Sequence, residues 1–341
     1  MPTEEIRVEA VAQCSLCGSP GTQLYAGLRD RFFTAPGSWA FSRCPECGFV
    51  WLSPRPVPQE LYKAYLSYHT HSRRSRRFGM GRLREKASLA MCSTVPGYET
   101  LAPSRTWRQL GRLMSIFPPL REVGRMRTMC LAGIPKGSVL DVGCGAGEFL
   151  GMMQEAGWKV LGFDSDPAAA RAARESFGVP VIVGDFSTAD LPAESFDAVI
   201  ASHVIEHVYD PVSFLSACRR VVKPGGRVVV VTPNLDSLGS RMFGVGWALL
   251  EAPRHLQLFS SATLRTCAVK AGLKVDVLRT SFRAEGFVCA ASRVIQKRGR
   301  FGDSDIGWRT RFEGLAFQAG GELVSPFWRS GGEELVLVCR R

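Results

Sequence analysis

Val139-Leu140-Asp141-Val142-Gly143-Cys144-Gly145-Ala146-Gly147-Glu148-Phe149-Leu150 decides the fold of this 341-residue chain. A short apolar run ending in an acid, followed by three alternate glycines, predicts a buried parallel strand, a tight turn and the first turn of a helix. Glycine lets the backbone approach a ligand closely while its N–H groups and the helix N-terminus face a small polar molecule. A dinucleotide fingerprint would place Gly or Ala at position 148, where this chain has Glu148. No lysine follows the glycines, and an acid in the first turn would repel a pyrophosphate. NAD and polyphosphates are therefore disfavoured as ligands.

Further strand patterns follow in order. Lys159 to Asp164 ends in an acid 17 residues beyond Gly147, and Val181 to Phe186 contains Asp185. Phe196 to His203 is a fourth, and Lys223-Pro224-Gly225-Gly226-Arg227 leads into a fifth from Val228 to Thr232. Helices fit between them over Glu148 to Ala156, Pro167 to Phe177 and Val212 to Val222. This order, with an acid before G-x-G-x-G, resembles the class I S-adenosylmethionine-dependent methyltransferases; an unrelated doubly wound α/β domain is the alternative. The resemblance implies an α/β fold: a doubly wound, mostly parallel seven-stranded sheet whose last strands, Leu273 to Phe282 and Glu334 to Cys339, are antiparallel. It also implies that S-adenosylmethionine is held by Asp141, Gly143, Gly145 and Gly147. Asp164 would take the ribose hydroxyls and Asp185 the adenine amino group, and Phe186 and Ser202 would also contact the cofactor.

At 45% apolar residues the chain can build a sizeable core, and its length suggests more than one domain. No apolar run reaches the roughly 18 to 20 residues of a membrane span, and Met1-Pro2-Thr3-Glu4-Glu5 lacks a signal-peptide pattern, so the expected compartment is the cytoplasm. Seven of eleven cysteines stand singly. The other four form Cys14-Ser15-Leu16-Cys17-Gly18 and Cys44-Pro45-Glu46-Cys47-Gly48, two C-x-x-C-G knuckles 26 residues apart. Paired thiolates on two tight turns suit one tetrahedral zinc ion, with a redox C-x-x-C as the alternative. Four thiolates leave no open position, so the zinc is expected to be structural.

This gives a zinc ribbon over 12–55, a basic helical linker or lid over 56–130, and a methyltransferase domain over 131–341 with insertions at 235–260 and 283–333. Ser53 to Pro58 is stiff because of its prolines, and Gln59 to Tyr68 fits a helix with a packed aromatic face. Residues 70–130 hold thirteen Lys or Arg against Glu85, Glu99 and Glu122, most of the formal +12 of the chain. The run His71-Ser72-Arg73-Arg74-Ser75-Arg76-Arg77 fits nucleic acid, anionic phosphates or a membrane surface, with a mobile, solvated basic segment as the commoner explanation. Gly111 to Leu131, broken at Pro118-Pro119, predicts a helix pair.

Ser202-His203-Val204-Ile205-Glu206-His207 leaves the fourth strand and resembles the E-H run of the ubiquinone-pathway O-methyltransferases. Methyl transfer to a hydroxyl needs an aligned acceptor and a base near neutrality, so His203, then His207, are the candidate bases. Some of those enzymes bind a metal through acids in this run; His203 breaks that pattern, and no catalytic metal is carried over. Trp247 to Ser260 is similar to the W…PRH stretch of bacterial zinc-ribbon methyltransferases, and Arg254 with His255 would either orient an acidic or phosphate-bearing acceptor or anchor the loop. The expected activity is methyl transfer, to oxygen, on a small-molecule acceptor such as a sugar, quinone precursor or secondary metabolite. The alternative is an RNA base methyltransferase that uses ribbon and basic segment to hold RNA, and a non-enzymatic binding module ranks last.

Overall fold

Strand order, rather than strand count, is what positions the site. The computed structural model describes residues 5–66, 80–302, 305–324 and 330–341. Its N-terminal part contains β1 (Val8–Glu9), β2 (Thr22–Leu28), β3 (Trp39–Arg43), β4 (Val50–Leu52) and β5 (Arg55–Pro56). Three helices follow: α1 (Met80–Cys92), α2 (Arg105–Met114) and α3 (Pro118–Arg127). The alternating part runs β6 (Ser138–Val142), α4 (Glu148–Glu155), β7 (Lys159–Asp164), α5 (Pro167–Phe177), β8 (Val181–Val183), β9 (Phe196–Ser202), α6 (Pro211–Val221) and β10 (Val222–Pro233). The chain ends with α7 (Leu238–Phe243), β11 (Gln257–Leu258), α8 (Ser261–Lys270), β12 (Lys274–Ser281), α9 (Glu285–Arg298), α10 (Trp308–Val324) and β13 (Glu334–Arg340).

The main sheet has the order β12-β13-β10-β9-β6-β7-β8. β13 is antiparallel to both neighbours, and the remaining pairs are parallel. This is the seven-stranded, mostly parallel sheet expected of a class I methyltransferase. The order reverses at β6, flanked by β7 on one side and β9 on the other, so a crevice opens at their carboxyl ends. Local chemistry fixes the helices around it. Asp166 and Asp210 cap α5 and α6 through side-chain bonds to Ala168 N and to Val212 and Ser213 N, and each is followed by a proline at the first helical position. Ser260 caps α8 in a box with Thr263. β8 is shorter than expected, because the chain turns at Asp185, whose Oδ1 accepts from Ser187 N at 2.8 Å.

The N-terminal unit is joined to this sheet. β4 pairs with β11, from the stretch after β10, so the four-stranded sheet β11-β4-β3-β2 combines N-terminal strands with one from the second half of the sequence. Leu16, Phe49 and Trp51 belong to the same buried cluster as Leu140, Phe163, Val199 and Phe259.

Residues 80–127 form a helical unit packed on the sheet layer. The inner faces of α2 and α3 lie on the end of α1, where a Cβ on Gly111 would collide with the Ala90 carbonyl. Trp158 Nε1 donates to Tyr98 Oη at 3.1 Å and ties the bundle to the sheet layer. The insertion at 283–333 contributes α9 and α10. Pro58–Tyr65 is a 3₁₀ helix with Tyr62 exposed, so only part of its aromatic face packs. Tyr68 and the run His71 to Arg77 lie outside the described residues.

Candidate functional site

The glycine turn leaves β6 at the switch point. Gly143 N donates to Phe163 O at 2.7 Å, and a side chain at Gly143 would strike Val204, so β9 can close against the turn only over a glycine. Gly145 differs. Its φ is +52°, and a Cβ there would meet no protein atom within 4 Å, so that side of the turn is open. Gly147 is the N-cap of α4.

Asp141 is 5% exposed and has no hydrogen-bond partner among the described residues. Burial, and then the facing charge of Asp164, push its carboxyl up to about 8. A buried carboxylate without a donor is costly unless a cation joins it. Asp164 Oδ2 accepts from Gly145 N at 2.8 Å, and Oδ1 from Asp166 N at 2.9 Å. The carboxylate is thereby fixed at the lip of the turn with lone pairs to spare. Asp185 is exposed after β8, whereas Phe186 is buried edge-on between Phe163 and Phe214. Ser202 ends β9 and is half-buried.

His203 follows at φ +56°, its N–H donating to Val231 O at 2.8 Å. Its Nδ1 lies 3.2 Å from Glu206 Oε1 and its Nε2 3.1 Å from Glu334 Oε1. Desolvation opposes the charged ring, but hydrogen bonds and charge from the two acids outweigh it and raise the pKa to about 10. The ring keeps 42% of its surface exposed, so solvent screens part of this pull without changing its direction. An imidazolium that donates from both nitrogens has no lone pair. His203, the first candidate base, is thus held in the wrong protonation state for that role.

His207 stands differently. Its Nδ1 is 3.0 Å from Arg254 O and 3.1 Å from Tyr65 Oη. A carbonyl can only accept, so Nδ1 carries a hydrogen and Nε2 is the ring nitrogen not engaged by it. His255 packs edge-on at 4.8 Å, and its Nδ1 donates to Leu249 O at 2.8 Å. Burial lowers the His255 pKa to about 4, so that ring is neutral. Glu206, His207 and His255 bring ligand-type atoms within 4.8 Å of one another. The Glu206 oxygens already accept from Thr232 Oγ1, at 2.9 Å, and face His203, which closes the network with protein partners.

Arg254 does not reach an acceptor. It is fully buried; Nη1 and Nη2 bond Asp30 at 2.8 and 2.7 Å, Nε bonds Glu251 at 2.9 Å, and Nη1 bonds Ala64 O at 3.1 Å. His255 is likewise committed inside. Both anchor the loop, and an exposed, acceptor-facing pair is not what forms. Trp247, from the same stretch, donates Nε1 to the buried Glu333 at 2.9 Å. Sequence reasoning missed Asp30, Tyr65, Glu333 and Glu334; the one local signal was the pair of acids that opens an otherwise apolar last strand.

The four knuckle cysteines converge. Cys14 Sγ lies 3.5 Å from Cys47 Sγ, and Cys17 Sγ lies 3.3 Å from Cys44 Sγ and 3.6 Å from Cys47 Sγ. Tetrahedral thiolates about 2.3 Å from a zinc ion would stand about 3.8 Å apart, close to these values. Leu16 N and Cys47 N point at Cys14 and Cys44 sulfurs, both at 3.4 Å. The donor set fits a closed tetrahedral site.

A family model described as a methyltransferase domain matches residues 110–278. Ubiquinone biosynthesis O-methyltransferase of Thiobacillus denitrificans is 33% identical over 180 residues, covering 48% of this chain and 77% of that protein. The chain belongs to the class I S-adenosylmethionine-dependent methyltransferases. The namesake enzyme of Alkalilimnicola ehrlichii is 35% identical to this methyltransferase over 174 residues, covering 48% of this chain and 66% of that one. This chain spans about half to two thirds of the length of most of the curated relatives it matches. A solved S-adenosylmethionine-dependent methyltransferase from Mesorhizobium loti aligns over 64% of this chain and 97% of its own, at 17% identity and a TM-score of 0.44. Among the described residues, no helix of this methyltransferase is long and apolar enough to cross a membrane.

Proposed function

We propose that this chain transfers the methyl group of S-adenosylmethionine to an oxygen of a small hydroxylated acceptor. The observation that carries the reading is Asp141, a buried carboxylate without a donor, beside a glycine turn where a side chain at Gly145 would meet no protein atom within 4 Å. When bound, S-adenosylmethionine supplies an electrophilic methyl group and a net positive charge. In this reading Asp141 compensates that charge, Asp164 accepts from the ribose hydroxyls, and Asp185 meets the adenine amino group. Oxygen as the acceptor atom is supported by the relatives named O-methyltransferases.

His207 is our assignment for the base. Its Nδ1 hydrogen is pinned by the Arg254 carbonyl, so Nε2 is the atom that takes the acceptor hydroxyl proton as the new C–O bond forms. The charged His203 holds Glu206 and Glu334 through its two ring nitrogens. The Cys14, Cys17, Cys44 and Cys47 site holds zinc, and its role is to fold the ribbon.

The test is methyl transfer from labelled S-adenosylmethionine to a panel of phenols, catechols and sugars, with wild type beside Asp164→Ala. Transfer to a hydroxyl, with donor affinity weakened in the variant by about 1.5–3 kcal/mol, is expected. Unchanged affinity in a folded variant would remove the donor assignment.

A further inference from the structure

None of the residues assigned to this chemistry lies in the basic helical unit, whose surface has its own pattern. The helices α2 and α3 present their glycine faces to α1, with Gly124 set against the Met91 carbonyl as Gly111 is against Ala90. Such close approach fixes which side points outward. At the tip of the hairpin this outward side is apolar: Leu113, Ile116 and Phe117 are 61%, 70% and 62% exposed, and Leu110 beside them is also exposed. Isolated exposed apolar side chains are ordinary, but four within eight positions at a projecting turn are a patch.

The helical unit that carries the patch is rich in exposed positive charge, with Arg112 and Arg121 next to the turn in sequence. Arg84, Lys86, Arg105, Arg112, Arg121 and Arg125 are all exposed. Acids are few here. Glu122 is engaged by Arg279 at 2.6 Å, Glu85 is half-buried, and Glu99 is the exposed one. Aliphatic side chains among arginines match an interface where charge meets phosphate headgroups and apolar atoms enter just below them. A single-stranded nucleic acid would call for exposed stacking rings, and of the tip residues only Phe117 is aromatic. A second copy of the chain would bring like charges together.

We propose that the α2–α3 hairpin seats the protein on an anionic lipid surface, with Leu113, Ile116 and Phe117 entering the headgroup region. α2 has ten residues and α3 ten, so the unit lies on the bilayer and does not span it. The proposal is independent of the methyl-transfer reading.

The experiment is co-sedimentation of the full chain with vesicles of equal parts phosphatidylglycerol and phosphatidylcholine, beside vesicles of phosphatidylcholine alone. Binding to the anionic vesicles only, weakening with salt, is expected. Leu113→Ser/Ile116→Ser/Phe117→Ser should lower that affinity at least ~10-fold. Arg112→Gln/Arg121→Gln/Arg125→Gln should lower it about fivefold per charge. All these side chains are exposed, so melting temperature and S-adenosylmethionine affinity should stay at wild-type values in both variants. Equal binding to both vesicle types, no binding to either, or full binding by the serine variant would overturn the proposal. So would a short RNA duplex that binds more tightly than the vesicles and is lost in the arginine variant.

Discussion

Arg254 and Asp30, 224 residues apart in the sequence, meet as a bidentate ion pair at 2.8 and 2.7 Å with both side chains fully buried. The pair joins the turn after β2 to the loop before β11. Removing one partner leaves the other charge buried and uncompensated, so Asp30→Ala should destabilise the fold by about 3–5 kcal/mol. Replacing both by apolar residues should cost less than the sum of the single changes. Urea unfolding of the two single variants and the double variant checks this, and additive losses would show that the two charges are not coupled.

Zinc should be present at one ion per chain in protein purified without added metal. Chelation, or Cys14→Ser with Cys44→Ser, should unfold the ribbon, because the metal supplies folding energy to a short segment. Elemental analysis and near-ultraviolet circular dichroism read the two effects.

Donor binding should depend on pH through Asp141. Its pKa of about 8 in the free protein lies above the ordinary carboxylate value, so at neutral pH the free site is largely protonated. A cationic ligand favours the ionised form, so binding releases a proton. Apparent affinity should rise with pH and level off above about 8, with close to a tenfold change per unit below it. Calorimetry in buffers of different ionisation heat measures the released proton, and Asp141→Asn should abolish the slope. A flat profile in wild type would contradict the assignment.

The two histidines should separate. His203 has a folded pKa of about 10, above the unfolded value of 6.5. Its stabilising effect is therefore complete below pH 6.5 and is lost as pH rises towards 10. His203→Gln should lower the urea midpoint at pH 6.5 and converge with wild type near pH 10. His207→Gln should lower turnover by about 10²–10⁴-fold with donor affinity intact, whereas His203→Gln should cost less. The reverse order of turnover losses would restore His203 as the base.

Much of this fold is written in short-range signals. The β6 strand and glycine turn, the Asp166 and Asp210 caps and the strand ends at Asp164 and Ser202 each follow from residues within a few positions of one another. What was not legible is tertiary. His203 lies beside Glu206 in the sequence, but its second carboxylate, Glu334, comes from 131 residues away, and it is the pair together that turns a candidate base into a fixed cation. Arg254 reads in the sequence as a loop residue, and only the fold brings Asp30 and Ala64 O around it. The docking of α2 and α3 on α1 is also tertiary: it depends on Gly111 and Gly124 approaching the Ala90 and Met91 carbonyls.

The pairing of β4 with β11 sets an order of events during synthesis. Leu52 leaves the ribosome about 200 residues ahead of Gln257, which at roughly 5–20 residues per second is a delay of about 10–40 s. Over that interval the edge of the ribbon is uncovered, and the lone partner it will receive is a two-residue strand. Loading of metal at the cysteines is the event available to hold the nascent ribbon together while it waits. A cell short of zinc should then accumulate this protein as aggregates formed during translation, and supplying the metal after synthesis should rescue it poorly.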